Sequence, residues 1–544
     1  MNKILIFLCF FIIVGVEIVA NSNEEKPKLV VGIVVDQMRY DYLQRYWDKF
    51  GEGGFKRLVN DGFSCKNTHY NYAPTYTGPG HASIYTGTTP TTHGIIANTW
   101  YDKFNDTMYY CVSDVKMKTI GSSSTSGHMS PNSLLTTTIT DELRLSNNNL
   151  SKVIGIALKD RASVLPAGHN ANGAYWYDGA TGNWITSSFY NSQLPDWLNK
   201  YNVKANYTKY LSESWKTLNP IESYEFYKND NSLFETKLVG EKTSAFPHKV
   251  HEIKDQNNGP EIIKATPFGN TITREVAIEA LVGEQLGKDN ITDFLAISFS
   301  STDIIGHKYG VNSVELEDTY LRLDKELAEL LTALDTKVGE DNYLLFLTAD
   351  HAVVRIPNRL KEQKIPAGYV NEEQLMIKLQ EYLKEEYGEG KWLNNLSNNQ
   401  VFINEDFVYE KDINLEDMEN NIARFLLDID GVANALTSGD LLSGSFANFQ
   451  LDLVKNGYHQ KRSGNIALVL ESGWIGYRET GTTHGSPYNY DTHVPLLWFG
   501  KNIRKGSSVD YIAITDIAPT IAMFLDIQFP SGCSGRPIKI LFKE

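Results

Sequence analysis

Three apolar runs in this chain lead into an acid, and that pattern limits the fold more than any other feature. KLVVGIVVD spans 28–36, YLLFLTAD spans 343–350, and FLAISFS at 294–300 is followed three residues later by Asp303. Runs this apolar, with no polar alternation, need cover on both faces, as the strands of a parallel sheet have. KVIGIAL (152–158) and VPLLWFG (494–500) extend the set. Between and after the runs, helices are predicted over 41–60, over 315–337 with charged amphipathic spacing, over 372–386, and over 516–527, where Pro519 falls in the first turn. Strands alternating with helices predict an α/β fold with a largely parallel central sheet flanked by helices. In open sheets of this kind the ligand crevice lies beyond the carboxyl ends of the strands, where these acids fall.

Two stretches break the alternation. Residues 165–275 are polar and aromatic, with YWYDGATGNW; residues 362–480 mix a helix with short runs such as IALVLESGWIGY. Both read as insertions in a single domain over 28–544, forming a cap around the crevice. At the start, Lys3 precedes the apolar segment ILIFLCFFIIVGV (4–16), Glu17 interrupts it, and Ala20 offers a small residue for cleavage. Residues 1–20 therefore read as a signal peptide rather than a membrane span, because the run is short and interrupted, with an uncleaved anchor as the alternative. The expectation is a mature chain that is periplasmic or secreted, without stable membrane insertion. Cleavage would leave Cys65, Cys111 and Cys533, an odd count that is no disulfide framework and no thiolate zinc site, although one pair, such as Cys65 with Cys111, stays open. The net charge of −15 argues against a nucleic-acid polymer as partner, and any anion site in so acidic a body must carry its own cations.

The chemistry-bearing residues gather at the strand ends: Asp36, Asp303, His307, Asp350, His351 and His484. Asp303 and His307 are four apart in STDIIGH, so both can face one side of a helical turn. Carboxylate and imidazole donors without thiolate suit zinc, and also manganese or iron. Six such groups exceed one tetrahedral site and suggest two metals, as in phosphoryl-transfer clamps. Thr77 sits in PTYTGPGHAS, where a sharp turn can lead into a helix whose N-terminus favours an anion. A threonine there can be a nucleophile beside a metal, or Thr75 or Thr77 can simply cap the helix. His81 is either a further ligand or hydrogen-bonded within that helix. Lys159 and Arg161 in LKDRAS offer a point charge and a planar fork to a dianionic phosphoryl group, and Asn98 offers an amide donor. A solvent-exposed turn explains the first two equally well, and a turn role explains the third.

Taken together, VVDQMR, PTYTGPGH, ANTWYD, LKDRAS, STDIIGH, TADH and GTTHG resemble the alkaline phosphatase superfamily, and most of all its flavobacterial phosphate-irrepressible branch. The resemblance runs from KLVVGIVVD to QFPSG and includes LEDTYLRLD. It implies two zinc ions per chain, one on Asp303, His307 and His484, the other on Asp36, Thr77, Asp350 and His351. It implies that Asn98, Lys159 and Arg161 contact phosphate, and that the protein is a periplasmic monomer hydrolysing small phosphate monoesters to inorganic phosphate through a phosphothreonine. One departure stands out. The family continues its Asp-His pair with glycine, whereas Ala352 follows here; if that position needs positive φ, the loop must shift. Within the same superfamily a phosphodiesterase or nucleotide pyrophosphatase is the alternative activity, and Lys159 with Arg161 argues against it because a diester carries less charge. A weakened phosphate- or glycan-binding protein is a more distant alternative, suggested by the aromatic insertion and by Ala352.

Overall fold

The computed structural model describes residues 25–542; the segment read as a signal peptide lies outside them. Ten strands form one sheet. In chain order they are β1 (Leu29–Val35), β2 (Phe63–His69), β3 (Thr119–Ile120), β4 (Val153–Ala157), β5 (Gly173–Asp178), β6 (Asn183–Ser187), β7 (Asp293–Phe299), β8 (Tyr343–Thr348), β9 (His493–Gly500) and β10 (Gly506–Ala513). Their order across the sheet is β10-β2-β9-β8-β1-β7-β4-β5-β6-β3. The pairs β8–β1, β1–β7, β7–β4 and β4–β5 are parallel, and β9 runs antiparallel to both its neighbours. Every residue of β1, β4, β7 and β8 is buried, which is why these runs lack polar alternation.

The longest helix, Val314–Lys337, buries Leu316, Leu323, Leu327, Leu330 and Leu334 along one stripe. It starts at Ser313, whose hydroxyl accepts from Leu316 N. The same helix explains a difference from the sequence reading. The helix expected over 41–60 is broken into Asp41–Arg45, a short 3₁₀ turn at Trp47–Lys49, and Phe55–Asp61. Asp324 reaches from the long helix and accepts from Gly51 N (2.7 Å) and Phe55 N (2.8 Å), capping the second piece within the glycine-rich GEGG.

The two stretches read as insertions are built differently. Within 165–275, Gly173–Asp178 and Asn183–Ser187 belong to the central sheet as β5 and β6, joined by a tight turn with Gly182 at φ +78°. YWYD is wholly buried, so its aromatic content is packing rather than a ring-lined surface. Residues 372–470 form a separate antiparallel sheet of four strands backed by the helices Glu372–Tyr387 and Leu415–Leu427. Its core of Leu375, Leu379, Leu383, Met418, Ile422 and Ile466 is separate from the main one. Asn398 ties this unit to the hairpin following Asn98 through a bond from Nδ2 to Thr99 O (2.8 Å). Cys65, Cys111 and Cys533 are unpaired.

Candidate active site

The parallel strands deliver the predicted residues to one edge. Asp36 follows β1, Asp350 and His351 follow β8, and Lys159 and Arg161 follow β4. Asp303 and His307 lie on the helix Ser301–Tyr309 that leaves β7. His484 comes from the loop before β9, whose antiparallel direction returns it to the same edge. Asp36, Asp303, Asp350, His351 and His484 are buried, and His307 is partly exposed.

These side chains fall into two overlapping sets. Ligand atoms of Asp36, Asp350 and His351 lie within 4.8 Å of one another, and so do those of Asp303, His351 and His484. His351 thus belongs to both, where the sequence reading gave it to one. His307 joins the second set through Nε2, 3.1 Å from Asp303 Oδ1. Each imidazole is oriented from behind by a backbone carbonyl. His307 Nδ1 donates to Thr482 O (2.7 Å), His484 Nδ1 to Thr75 O (2.6 Å) and His351 Nδ1 to Ala352 O (3.1 Å). With Nδ1 spent on a carbonyl, each ring turns Nε2 into the site as the nitrogen open to a metal.

Between the sets sits Lys159, with Nζ 2.6 Å from both Asp36 Oδ2 and Asp303 Oδ2. Burial disfavours its charge, but Asp303 and Asp36 outweigh that and hold the ammonium above its ordinary pKa. The carboxylates divide. Burial and then neighbouring Asp350 push Asp36 well up, and burial pushes Asp350 up to about 6. Asp303 is also buried, yet His307 and Lys159 hold it well below the usual range. Burial draws His351 down to about 3 and His484 well down, so both rings are neutral. Asp36 Oδ1, Asp350 Oδ2 and His351 Nε2 are buried without any hydrogen-bond partner. Orphaned acceptors this close together are costly in a protein interior, and a divalent cation is the group that satisfies them. The donor set therefore fits a metal.

Thr77 opens the helix Thr77–Thr86, whose N-cap is Tyr76 and which has no side-chain cap bond. The capping role considered for Thr77 and Thr75 is therefore not used. The first turn abuts Asp350 so closely that a Cβ on Gly80 would collide with the Asp350 carbonyl. His81 spends Nδ1 on Thr77 O (2.9 Å) and lies 3.0 Å from Ser298 Oγ through Nε2, which takes it out of the ligand set. Asn98 Oδ1 accepts from Gly78 N (2.7 Å), leaving the amide NH₂ as its donor. Arg161 Nη1 donates to Tyr110 OH (3.1 Å), which itself donates to Asp160.

Some contributors carried no signal in the motifs. Tyr110 positions Arg161 from a hairpin. Asp491 accepts from Gly485 N (3.1 Å), Ser486 N (2.8 Å) and Ser486 Oγ (2.7 Å), while its carbonyl accepts from Ala352 N (2.8 Å). It thereby joins the loops of His484 and His351. Ala352 is not among the residues with positive φ, so the methyl costs no backbone strain and the loop shift anticipated for it does not arise.

Comparison with known proteins agrees with the fold. The family model for type I phosphodiesterase / nucleotide pyrophosphatase matches residues 30–494. A protein of Myroides odoratus named calcium-transporting ATPase is 44% identical over 98% of this chain and 97% of its own. Alkaline phosphatase PafA of Elizabethkingia meningoseptica is 43% identical over 94% of each chain. Alkaline phosphatase PhoV of Synechococcus elongatus is 44% identical over 95% of this chain and 93% of its own. A crystal structure of PafA superposes with a TM-score of 0.92, covering 95% of this chain and 99% of that one.

Proposed function

Since the chain belongs to the alkaline phosphatase superfamily, in its type I phosphodiesterase / nucleotide pyrophosphatase family, we propose that it is an exported, monomeric, zinc-dependent phosphomonoesterase. The observation that carries the reading is Lys159 held between Asp36 and Asp303, with Arg161 two residues on. A cation fixed at the junction of the two donor sets, with a second anchored by Tyr110 two residues on, suits the dianion of a monoester better than a singly charged diester.

Two zinc ions, one on Asp36, Asp350 and His351 and one on Asp303, His307 and His484, would supply Lewis acidity and charge to oxygens on either side of phosphorus. The chain's own residues do the rest. Thr77 Oγ forms a bond to phosphorus as the bond to the leaving oxygen breaks, giving a phosphothreonine, and water then cleaves it to inorganic phosphate. Asn98 and Arg161 donate to the nonbridging oxygens, and Lys159 adds charge where it develops. Tyr110 and Asp160 hold the guanidinium in place. The apolar segment 4–16 supports export. Among the described residues no helix is long and apolar enough to cross a membrane.

The phosphodiesterase reading follows from the name of the matched family model. One experiment separates the two: kcat/KM of the zinc-loaded protein on matched aryl phosphate monoester and diester, before and after chelation. A monoester preference lost on chelation and restored by zinc is expected. A diester preference would replace this reading with the alternative, and negligible turnover of both would favour a binding protein.

A further inference from the structure

Gln37 follows Asp36 directly and has φ +68°, the left-handed region that a long side chain seldom occupies. Such strain persists only where the surroundings impose it. Here the imposing contacts are two. The backbone N of Gln37 donates to Asp350 Oδ1 (3.1 Å), and its amide Nε2 donates to Asp303 Oδ1 (2.6 Å). One residue thus holds a carboxylate from each donor set, and it is itself buried. A second feature, on another element, is shaped to it. Gly306 sits inside the helix Ser301–Tyr309, between Asp303 and His307, where glycine weakens a helix. A Cβ at that position would collide with Gln37 Oε1.

The geometry points to Gln37 as a positioning residue that joins the two metal sites, its amide fixing the Asp303 carboxylate toward the cation held by Asp303, His307 and His484. The inference rests on the two-metal reading above. A neutral amide suits this role, since it occupies one lone pair of Asp303 Oδ1 without adding charge and leaves the other for a metal. The two contacts are separable, since the donor to Asp350 is the backbone N–H, which every residue but proline keeps, and the donor to Asp303 is the side-chain amide.

Two variants attack the amide from opposite sides. Gln37→Gly removes it and relieves the positive φ, which offsets part of the cost of emptying a buried site; Gly306→Ala displaces it and leaves residue 37 intact. The readout is zinc release from the loaded protein titrated with a chelator, followed by elemental analysis, with thermal midpoints recorded alongside. In both variants one zinc equivalent should leave at a chelator concentration about 10–100-fold lower than in the parent, the second near its parental concentration. Parental release of both equivalents in both variants would overturn the inference, as would loss of both together with a fall in thermal midpoint, which would mark a structural role. A parent protein that holds fewer than two equivalents would instead overturn the two-metal reading, and this inference with it.

Discussion

His351 and His484 stack face to face, with ring centroids 3.4 Å apart and planes 14° from parallel. Burial keeps both rings neutral, so the stack carries no charge repulsion. Each ring is pinned at Nδ1 by a carbonyl, and the two Nε2 atoms are presented to adjoining donor sets. His351 is the member common to both.

That sharing predicts unequal losses on substitution. His351→Gln should release both zinc equivalents at a lower chelator concentration, because it removes a donor and its stacking partner's support. His307→Gln should weaken only one. Elemental analysis after gel filtration at fixed chelator checks this. Retention of one equivalent at parental affinity in His351→Gln would show the two sets to be independent.

Arg161 should decide between esters. Arg161→Ala is expected to lower kcat/KM for an aryl monoester by about 10²-fold, the scale of losing one fixed donor to a developing anion, and for the diester by less than about 10-fold. Tyr110→Phe keeps the guanidinium and removes its hydroxyl partner, so its loss should be in the same sense and several-fold smaller. Equal losses on both esters in Arg161→Ala would mean that the guanidinium does not read the second negative charge.

Much of the fold could be read from the five apolar runs because burial on both faces leaves no other use for them: each is a strand within two residues of its predicted ends. The strand-end donors were legible for the same reason, since direction in a parallel sheet sends successive termini to one edge. Contacts between distant segments were not legible. Asp324 breaking the 41–60 helix acts across 269 residues to Phe55, and Tyr110 on Arg161 acts across 51. The sharing of His351 is a matter of ångströms between loops and has no trace in spacing. YWYDGATGNW misled because buried aromatic strands with a glycine turn share their composition with an exposed aromatic loop.

Gly80 tests how tightly the nucleophile's helix is seated. Alanine inside a helix is ordinarily stabilising over glycine by about 0.5–1 kcal/mol. Here the added methyl would meet the Asp350 carbonyl and Cβ, and overpacking of this kind costs about 1–3 kcal/mol. Gly80→Ala should therefore lower the thermal midpoint and reduce monoester turnover through displacement of Asp350 or Thr77. A raised midpoint with full activity would show that the helix can move aside freely.

A last prediction concerns a buried cluster behind the helix that carries Asp303. His248 lies between Glu241 (2.8 Å) and Glu315 (3.2 Å), with Glu235, Asp230 and Tyr309 around them. Burial opposes the imidazolium, yet Glu241 and Glu315 raise it to about 9; burial and then Glu315 raise Glu235 to about 9 as well. Each folded pKa lies above its unfolded value, roughly 6.5 for His and 4.3 for Glu. In that window the folded chain keeps a proton that the unfolded chain has lost, so stability present at low pH falls as pH rises toward 9, by up to about 1.4 kcal/mol per pH unit for each proton. Glu235→Gln mimics the protonated acid and removes one such proton. Near pH 4, below the unfolded pKa, its thermal midpoint should match the parent's, and it should rise progressively above the parent's as pH climbs to 9. Parallel midpoint curves from pH 6 to pH 9 would mean that Glu235 is ionised in the folded protein throughout, with a cation other than His248 balancing it.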